Sequence, residues 1–234
     1  MGADLTAVGL IVLAAAAFSG LFYYWRYIWF FRNPPRTTPG GDSITSPADG
    51  TVVYVKTVEP HEPVIAIKQG VSASINDILY EDLKKRRILI GIFMSPFDVH
   101  YNRAPLAGIV RSIRHYPGKK DNVCMFAMHL RTLFHHGPYY KNSLHILQNE
   151  RTVTRLEGSY KGRLISCYVI QIAAKSVRGI ESYVTTGQNV RKGSVFGMIR
   201  IGSQVDIVIP CLNEMRIMIR PGDKVRAGAT ILIE

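Results

Sequence analysis

The chain has 234 residues and 47% hydrophobic composition, which excludes an intrinsically disordered polypeptide and is ample for one core, or for one domain plus an appendage. Its three cysteines (Cys124, Cys167, Cys211) stand far apart with no C-x-x-C pair, which excludes a disulfide framework or a Cys-based zinc site and leans towards a reducing compartment. Twenty-nine Lys and Arg against 17 Asp and Glu leave a net charge of +12 and a pI near 9.8, the balance of a protein that meets a polyanion, either nucleic acid or an anionic membrane surface.

Leu5 to Trp25 carries no charged side chain. About 20 apolar residues cross a bilayer core of roughly 30 Å, so the stretch predicts a transmembrane helix over 5–25. Tyr23, Tyr24, Trp25, Tyr27 and Trp29 follow as an aromatic belt, and residues 1–32 are expected to form the anchor. A signal peptide would be shorter, start basic and end in small residues, whereas Asp4 is the only charged residue before this stretch and bulky aromatics follow it. Arg26, Arg32 and Arg36 lie on the C-terminal side alone, which places residues 37–234 in the cytoplasm. A tethered basic domain suits a lipid surface better than nucleic acid. No RNP, zinc-finger or helix-turn-helix pattern appears, so no nucleic-acid partner is expected.

Residues 33–47 are rich in Pro, Thr and Gly and read as a linker, with the remaining domain at 48–234. Short β-branched or alternating runs then recur at 51–58, 64–68, 88–94, 107–113, 164–173, 195–201, 205–210 and 231–234, punctuated by Gly, Pro, Asn and Asp. Helical pattern is sparse, the best candidate being Asp121 to His135 with Asp121 or Asn122 as cap. Within it Cys124–Phe134 reads either as an amphipathic segment lying on a bilayer or as a helix packed on the core. Two segments, Gly187–Gly193 and Gly222–Gly228, share G-x-x-V-R-x-G, a turn whose glycines permit positive φ and whose Val plugs onto the core. The expected fold is mainly β, a barrel-sandwich-like domain with few short helices behind one N-terminal transmembrane helix. No Lys stands at a hairpin tip, as a lipoyl or biotinyl carrier would need.

Four segments carry polar groups that are able to do chemistry. Pro47-Ala48-Asp49-Gly50 is by itself a β-turn. Ser95-Pro96-Phe97-Asp98-Val99-His100, running on to Arg103, ends an apolar strand in a polar cluster, a place where sites are often built. Gln148 to Thr152 in isolation is a solvated charged string. The Gly202-Ser203 pair interrupts a strand-like run from Phe196 to Asp206, which alone marks a bulge or bend. Four histidines (His129, His135, His136, His145) repeat no ligand spacing, so no metal is expected.

Taken in order, these segments resemble the phosphatidylserine decarboxylase family, pyruvoyl-dependent membrane enzymes that make phosphatidylethanolamine, and in length the family's short, compact branch. The resemblance spans nearly the whole chain: Phe30-Phe31-Arg32-Asn33-Pro34, the Pro47–Gly50 turn, Ser95–His100, His115-Tyr116-Pro117-Gly118, Asn149-Glu150-Arg151, and the terminal Arg200-Ile201-Gly202-Ser203.

The resemblance implies decarboxylation of phosphatidylserine through an imine with a pyruvoyl cofactor made from the chain itself by autocatalytic serinolysis between Gly202 and Ser203. Loss of CO2 from an amino acid needs an electron sink that ordinary side chains lack. It further implies Asp49 as an orienting acid and His100 as base or proton donor. The family's long branch has a second histidine three residues on, where this chain has Arg103, which stays protonated. Either His100 serves both self-cleavage and protonation, the favoured reading, or His115 takes the second role. Asp98 is a further candidate, and Arg103 is a candidate to bind a phosphate or carboxylate. Fragments 1–202 and 203–234 are expected to stay associated, on a membrane of anionic phospholipid, with the family's homodimer. All the net charge would stay on 1–202, since residues 203–234 balance four basic against four acidic residues. Lys84–Arg87 is one possible lipid contact. Archaetidylserine or another serine-headed lipid is an alternative substrate, and a non-catalytic membrane-tethered adaptor is a more distant alternative.

Overall fold

The computed structural model describes residues 2–62, 65–68, 71–79, 83–119, 121–141, 143–175, 179–200 and 202–234. Val64 and Ile201, at the ends of two expected strands, lie outside them. The chain divides into two compact units, Met1–Pro34 and Pro35–Glu234.

In the first unit an α-helix over Gly2–Tyr23 runs into a π-helical turn over Tyr24–Trp29. The apolar stretch Thr6–Trp29 has 24 residues and a mean hydropathy of 2.0, enough by length and composition to cross a membrane. Its end is an aromatic cluster in which the Arg32 guanidinium lies 3.3 Å from the Trp29 ring centroid.

The second unit is mainly β. Eight strands form one antiparallel sheet: β1 (Gly50–Val58), β2 (Arg87–Met94), β3 (Gly108–Tyr116), β4 (Arg151–Tyr160), β5 (Arg163–Ala173), β6 (Asn189–Val190), β7 (Ser203–Pro210) and β8 (Lys224–Val225). Their spatial order is β6-β3-β4-β5-β7-β2-β1-β8. A three-stranded sheet sets Val195–Ile199 between Ile180–Ser182 and Tyr101–Arg103. Ile44–Thr45 pairs with Ile231–Ile233. The described helices of this unit are short.

The G-x-x-V-R-x-G repeat explains how the sheet ends. Its two copies supply β6 and β8, the outermost strands. All four of its glycines have positive φ, from 68° to 100°, and Val190 and Val225 are buried beneath the turns. A Cβ built on Gly228 would stand 3.1 Å from the Cα of Gly193, so the two edges of the sheet approach each other and the sheet is curled. A side chain at Gly228 would press on Gly193 and oppose that approach.

The eight expected strands are found, with small differences at their ends, and two expectations are corrected. The string around Asn149-Glu150-Arg151 is not a solvated loop: it opens β4, and Asn149 and Arg151 are both buried. The helix in 121–135 is shorter than expected, Phe126–Leu133, and Met125 precedes it without a side-chain cap. Asn122 instead donates to Ala174 O and accepts from Glu150 N. That role ties the segment to the sheet and removes Asn122 from the helix end.

Candidate active site

The run from Phe196 to Asp206 is not a single bulged strand. Val195–Ile199 belongs to the three-stranded sheet and Ser203–Pro210 to the main sheet, so the chain changes sheets between Ile199 and Ser203. Gly202 sits there at φ +59°, in the left-handed region that glycine tolerates best. Ser203 is therefore the first residue of β7, fully buried between two partners: it pairs with Met94 on β2 and with Ala173 on β5. Its hydroxyl points at Met94 Sδ, 3.4 Å away.

The Pro47–Gly50 turn docks on the same region. Pro47 O accepts from the backbone N–H of Arg103 at 2.9 Å and from the Asn102 amide at 3.4 Å. Asn102 in turn accepts from Gln171 Nε2 at 2.8 Å and lies 3.8 Å from Met94 Sδ, so turn, strand end and Ser203 share one polar seam. Asp49 is almost buried. One carboxylate oxygen accepts from Arg36 at 2.6 Å and the other from the backbone N–H of Ala227 at 2.7 Å. Burial raises its pKa, and the neighbouring Asp98 adds to the rise, while the Ala227 amide and Arg36 oppose it.

His100 is fully buried, and its backbone carbonyl accepts from Ile199 N, which sets it beside the strand that leads to the Gly202–Ser203 bond. Nδ1 lies 3.0 Å from the Asp98 carbonyl oxygen. A carbonyl can only accept, so Nδ1 carries the proton and Nε2 holds the ring's lone pair in the neutral imidazole. The orienting contact thus comes from the Asp98 backbone. The Asp98 carboxylate accepts from Ser95 N and closes the turn that holds that carbonyl in place.

The remaining expected residues are placed differently. Arg103 donates to Gly193 O at 2.9 Å, beside the junction of the two repeat turns. His115 is half-exposed on β3, 3.1 Å from Thr152 Oγ1. β3 is separated from β7 by β4 and β5, so His115 stands three strand spacings, roughly 14 Å, from the Ser203 strand. His100 adjoins the strand that leads to Ser203 and Arg103 the Pro47–Gly50 turn, while His115, level with Val205 in the sheet register, is three strands away.

Two features were not singled out from sequence. The first is a cavity of about 250 Å³ against Gly202, lined mainly by Phe93, Met125, Phe126 and Ala174, with His129 as its one imidazole. The His129 ring stands 6.2 Å from the rings of both Phe93 and Phe126, and its buried Nδ1 has no hydrogen-bond partner among the described residues. Asn149 fixes this wall: it donates to Ala173 O and Val123 O and accepts from Val123 N, joining the segment before the helix to Ser203's neighbouring strand. The second is a polar network along β7, on the face that Gln204 shares with its cross-strand partner Phe93. His145, Gln204, Tyr54 and Asp206 are all fully or nearly fully buried and joined by bonds of 2.7–2.8 Å. Burial lifts the Asp206 carboxyl to about 6 and lowers the His145 imidazole to about 4.

A glycine in left-handed backbone, a fully buried serine and a cavity against the glycine meet at this corner. The model of the phosphatidylserine decarboxylase family matches residues 23–233. A phosphatidylserine decarboxylase proenzyme of Ralstonia nicotianae is 32% identical over 97% of this chain and 88% of its own length. One of Chlorobaculum tepidum is 34% identical over 96% and 83%, and one of Cupriavidus taiwanensis 30% over 97% and 88%.

Proposed function

The chain belongs to the phosphatidylserine decarboxylase family, and from that premise we propose that it is a self-processing decarboxylase that converts phosphatidylserine to phosphatidylethanolamine and CO2 with a pyruvoyl group made from Ser203. The observation that carries the reading is the Gly202–Ser203 corner: a glycine at φ +59° followed by a buried serine, with a cavity against it.

In self-cleavage the Ser203 hydroxyl attacks the Gly202 carbonyl, and the amide becomes an ester. β-Elimination frees the carboxyl end at Gly202, and hydrolysis of residue 203 releases ammonia. Gly202 has no Cβ to shield its carbonyl, and its φ keeps the corner tight. His100, whose tautomer the Asp98 carbonyl fixes, is the base for the hydroxyl and later the proton donor to the substrate. Asp49 supplies charge beside the turn, shared with Arg36. The pyruvoyl group, once formed, supplies the electron sink that loss of CO2 requires. The pairing of residue 203 on both sides holds the 203–234 fragment in the sheet after cleavage. Arg103 acts as a buttress through Gly193. The apolar N-terminal helix serves as the anchor, with the catalytic unit on the cytoplasmic side and the protein acting as a homodimer.

Intact mass spectrometry of the purified chain beside Ser203→Ala tests this reading. Cleavage gives a blocked fragment of about 3.6 kDa, scaled from 32 of 234 residues and 26.2 kDa, in the wild type alone. A 26.2 kDa chain in both preparations would remove the electron sink and favour a non-catalytic adaptor.

A further inference from the structure

The helix Phe126–Leu133 has two faces with different surroundings. Met128 and Thr132 point inward and are buried, with Met125 just before them, and Met125, Phe126 and His129 line the cavity at Gly202. Outward, Phe126 (61% exposed), Leu130 (38%), Leu133 (58%) and Phe134 (63%) recur at the i, i+4, i+7, i+8 spacing of a single helical stripe. Phe97, 60% exposed, adds to the apolar surface from the loop whose Pro96 also borders the cavity. Isolated exposed apolar residues are ordinary, but a contiguous aromatic and leucine stripe at the mouth of a site is not. The segment that carries it has one sign of charge: no Asp or Glu occurs between Asp121 and Glu150, whereas Arg131, Lys141 and the exposed His135 and His136 do.

We propose that this stripe is an interfacial docking surface for an anionic bilayer, so that the cavity at Gly202 opens at the lipid and admits a phospholipid head group first while its acyl chains stay along the stripe. The inference rests on the decarboxylase reading for its substrate and goes beyond it in naming the surface. The occupant follows from complementarity. An apolar stripe on a segment that carries Arg131 and Lys141 and has no carboxylate of its own matches an acyl–head group boundary carrying negative charge, with the apolar face buried roughly 5–10 Å. A helix that is both wall of the pocket and contact with the membrane brings the substrate to the site without its leaving the bilayer fully.

Two measurements on the full chain test it. The first labels exposed Cys124, on the cavity wall, with bimane in a Cys211→Ser background, in vesicles of phosphatidylcholine and phosphatidylglycerol. Quenching by lipids that carry a nitroxide high on the acyl chain is expected, weakened in Leu133→Ser/Phe134→Ser. Quenching by aqueous iodide alone would overturn the proposal. The second compares decarboxylation of long-chain phosphatidylserine in vesicles with that of monomeric dihexanoyl phosphatidylserine. Leu133→Ser/Phe134→Ser is expected to keep self-cleavage and stay within about twofold on the monomer while losing tenfold or more on vesicles. Equal loss on both substrates, no loss on vesicles, or a change of oligomeric state that marks the stripe as a contact between copies would each overturn it. If the wild type decarboxylates neither substrate, the functional reading falls, and the quenching still decides the surface.

Discussion

His145 Nε2 donates to Gln204 Oε1 across 2.8 Å of fully buried interior, one residue beyond the expected cleavage point. The donors that follow all run one way: the Gln204 amide gives to Tyr54 Oη and Asp206 Oδ1, and the Tyr54 hydroxyl gives to Asp206 Oδ2. Arg151, the buried arginine of the Asn149-Glu150-Arg151 string, favours the charged carboxylate electrostatically. A closed network of this kind fixes the first residues of β7 in a single arrangement and is costly to open by halves.

The network carries two titrations of opposite sign. Asp206 is raised from 3.8 to about 6, so its contribution to stability is full below 3.8 and is lost as pH rises through 6. His145 is lowered from 6.5 to about 4, so its contribution is full above 6.5 and is lost as pH falls towards 4. Over the shared window the two nearly offset. Asp206→Asn on the uncleaved Ser203→Ala chain should therefore unmask His145: stability falls by about 3 kcal/mol between pH 6.5 and 4, with little change in the parent. Melting temperatures across that range in detergent check it, and a flat profile in the Asn variant would show that His145 is not held neutral by burial.

After cleavage the small fragment keeps its strand. β7 pairs with β2 through eight residues and with β5 through six, and Val205, Ile207 and Ile209 are buried, each worth about 1.5–3 kcal/mol on burial. Fragments 1–202 and 203–234 should co-elute in size exclusion without denaturant and separate only in strong denaturant. Dissociation in mild detergent would mean that the ladder is insufficient.

The β domain was readable because its strands are short, apolar and bounded by Gly, Pro, Asn and Asp, and because the G-x-x-V-R-x-G repeat encodes two equivalent turns. That those turns close the two edges of one sheet was not readable, since nothing in either copy states its partner. β4 carries no apolar alternation at its start, because Arg151, Thr152 and Thr154 are polar and yet buried. Arg151 and Thr152 meet partners distant in sequence, Ile78 O and His115 Nδ1, which a local pattern does not carry. The Gly202–Ser203 corner was marked by the pair itself, but its cause, a change of sheet, was not. Nothing local separates His129 from the neighbouring histidines, because only the fold brings Phe93 and Ala174 into the same cavity wall.

His100 owes its orientation to a backbone carbonyl, which separates two substitutions that sequence alone would treat alike. His100→Gln removes the lone-pair nitrogen and should slow self-cleavage by 10²–10⁴-fold, the usual worth of a positioned base. Asp98→Asn keeps the Asp98 carbonyl and an oxygen for Ser95 N, and should stay within severalfold of wild type. Time courses of fragment appearance on denaturing gels distinguish them. Equal loss in both would assign the work to the Asp98 carboxylate.

Gly202→Ala meets no steric obstacle, since the nearest atom to an added Cβ is Ala174 Cβ at 4.0 Å. The cost is conformational: an alanine held at φ +59° loses roughly 1–2 kcal/mol. The variant should fold, melt a few degrees lower and cleave more slowly, because relaxing φ moves the carbonyl away from the Ser203 hydroxyl. Cleavage at the wild-type rate would show that the left-handed corner is not what readies the bond.

His129 offers the sharpest separation between making the cofactor and using it. Its imidazole is held between Phe93 and Phe126 on the wall of the cavity at Gly202, with a buried Nδ1 that has no partner among the described residues. A polar nitrogen left unsatisfied in an apolar wall is costly unless a bound molecule completes it. Phosphate and carboxylate oxygens of a serine head group are such acceptors, and a protonated imidazole is a donor to either. His129→Gln should then leave the 203–234 fragment forming at the normal rate, because the Ser203 attack does not involve it, while kcat/KM for monomeric dihexanoyl phosphatidylserine falls tenfold or more. The loss should lie mainly in KM if the contact is made equally in ground and transition states, and in kcat if the imidazole delivers a proton. A variant that fails to self-cleave would move His129 into the processing machinery, and one that turns over normally would leave the buried nitrogen without a role in the reaction.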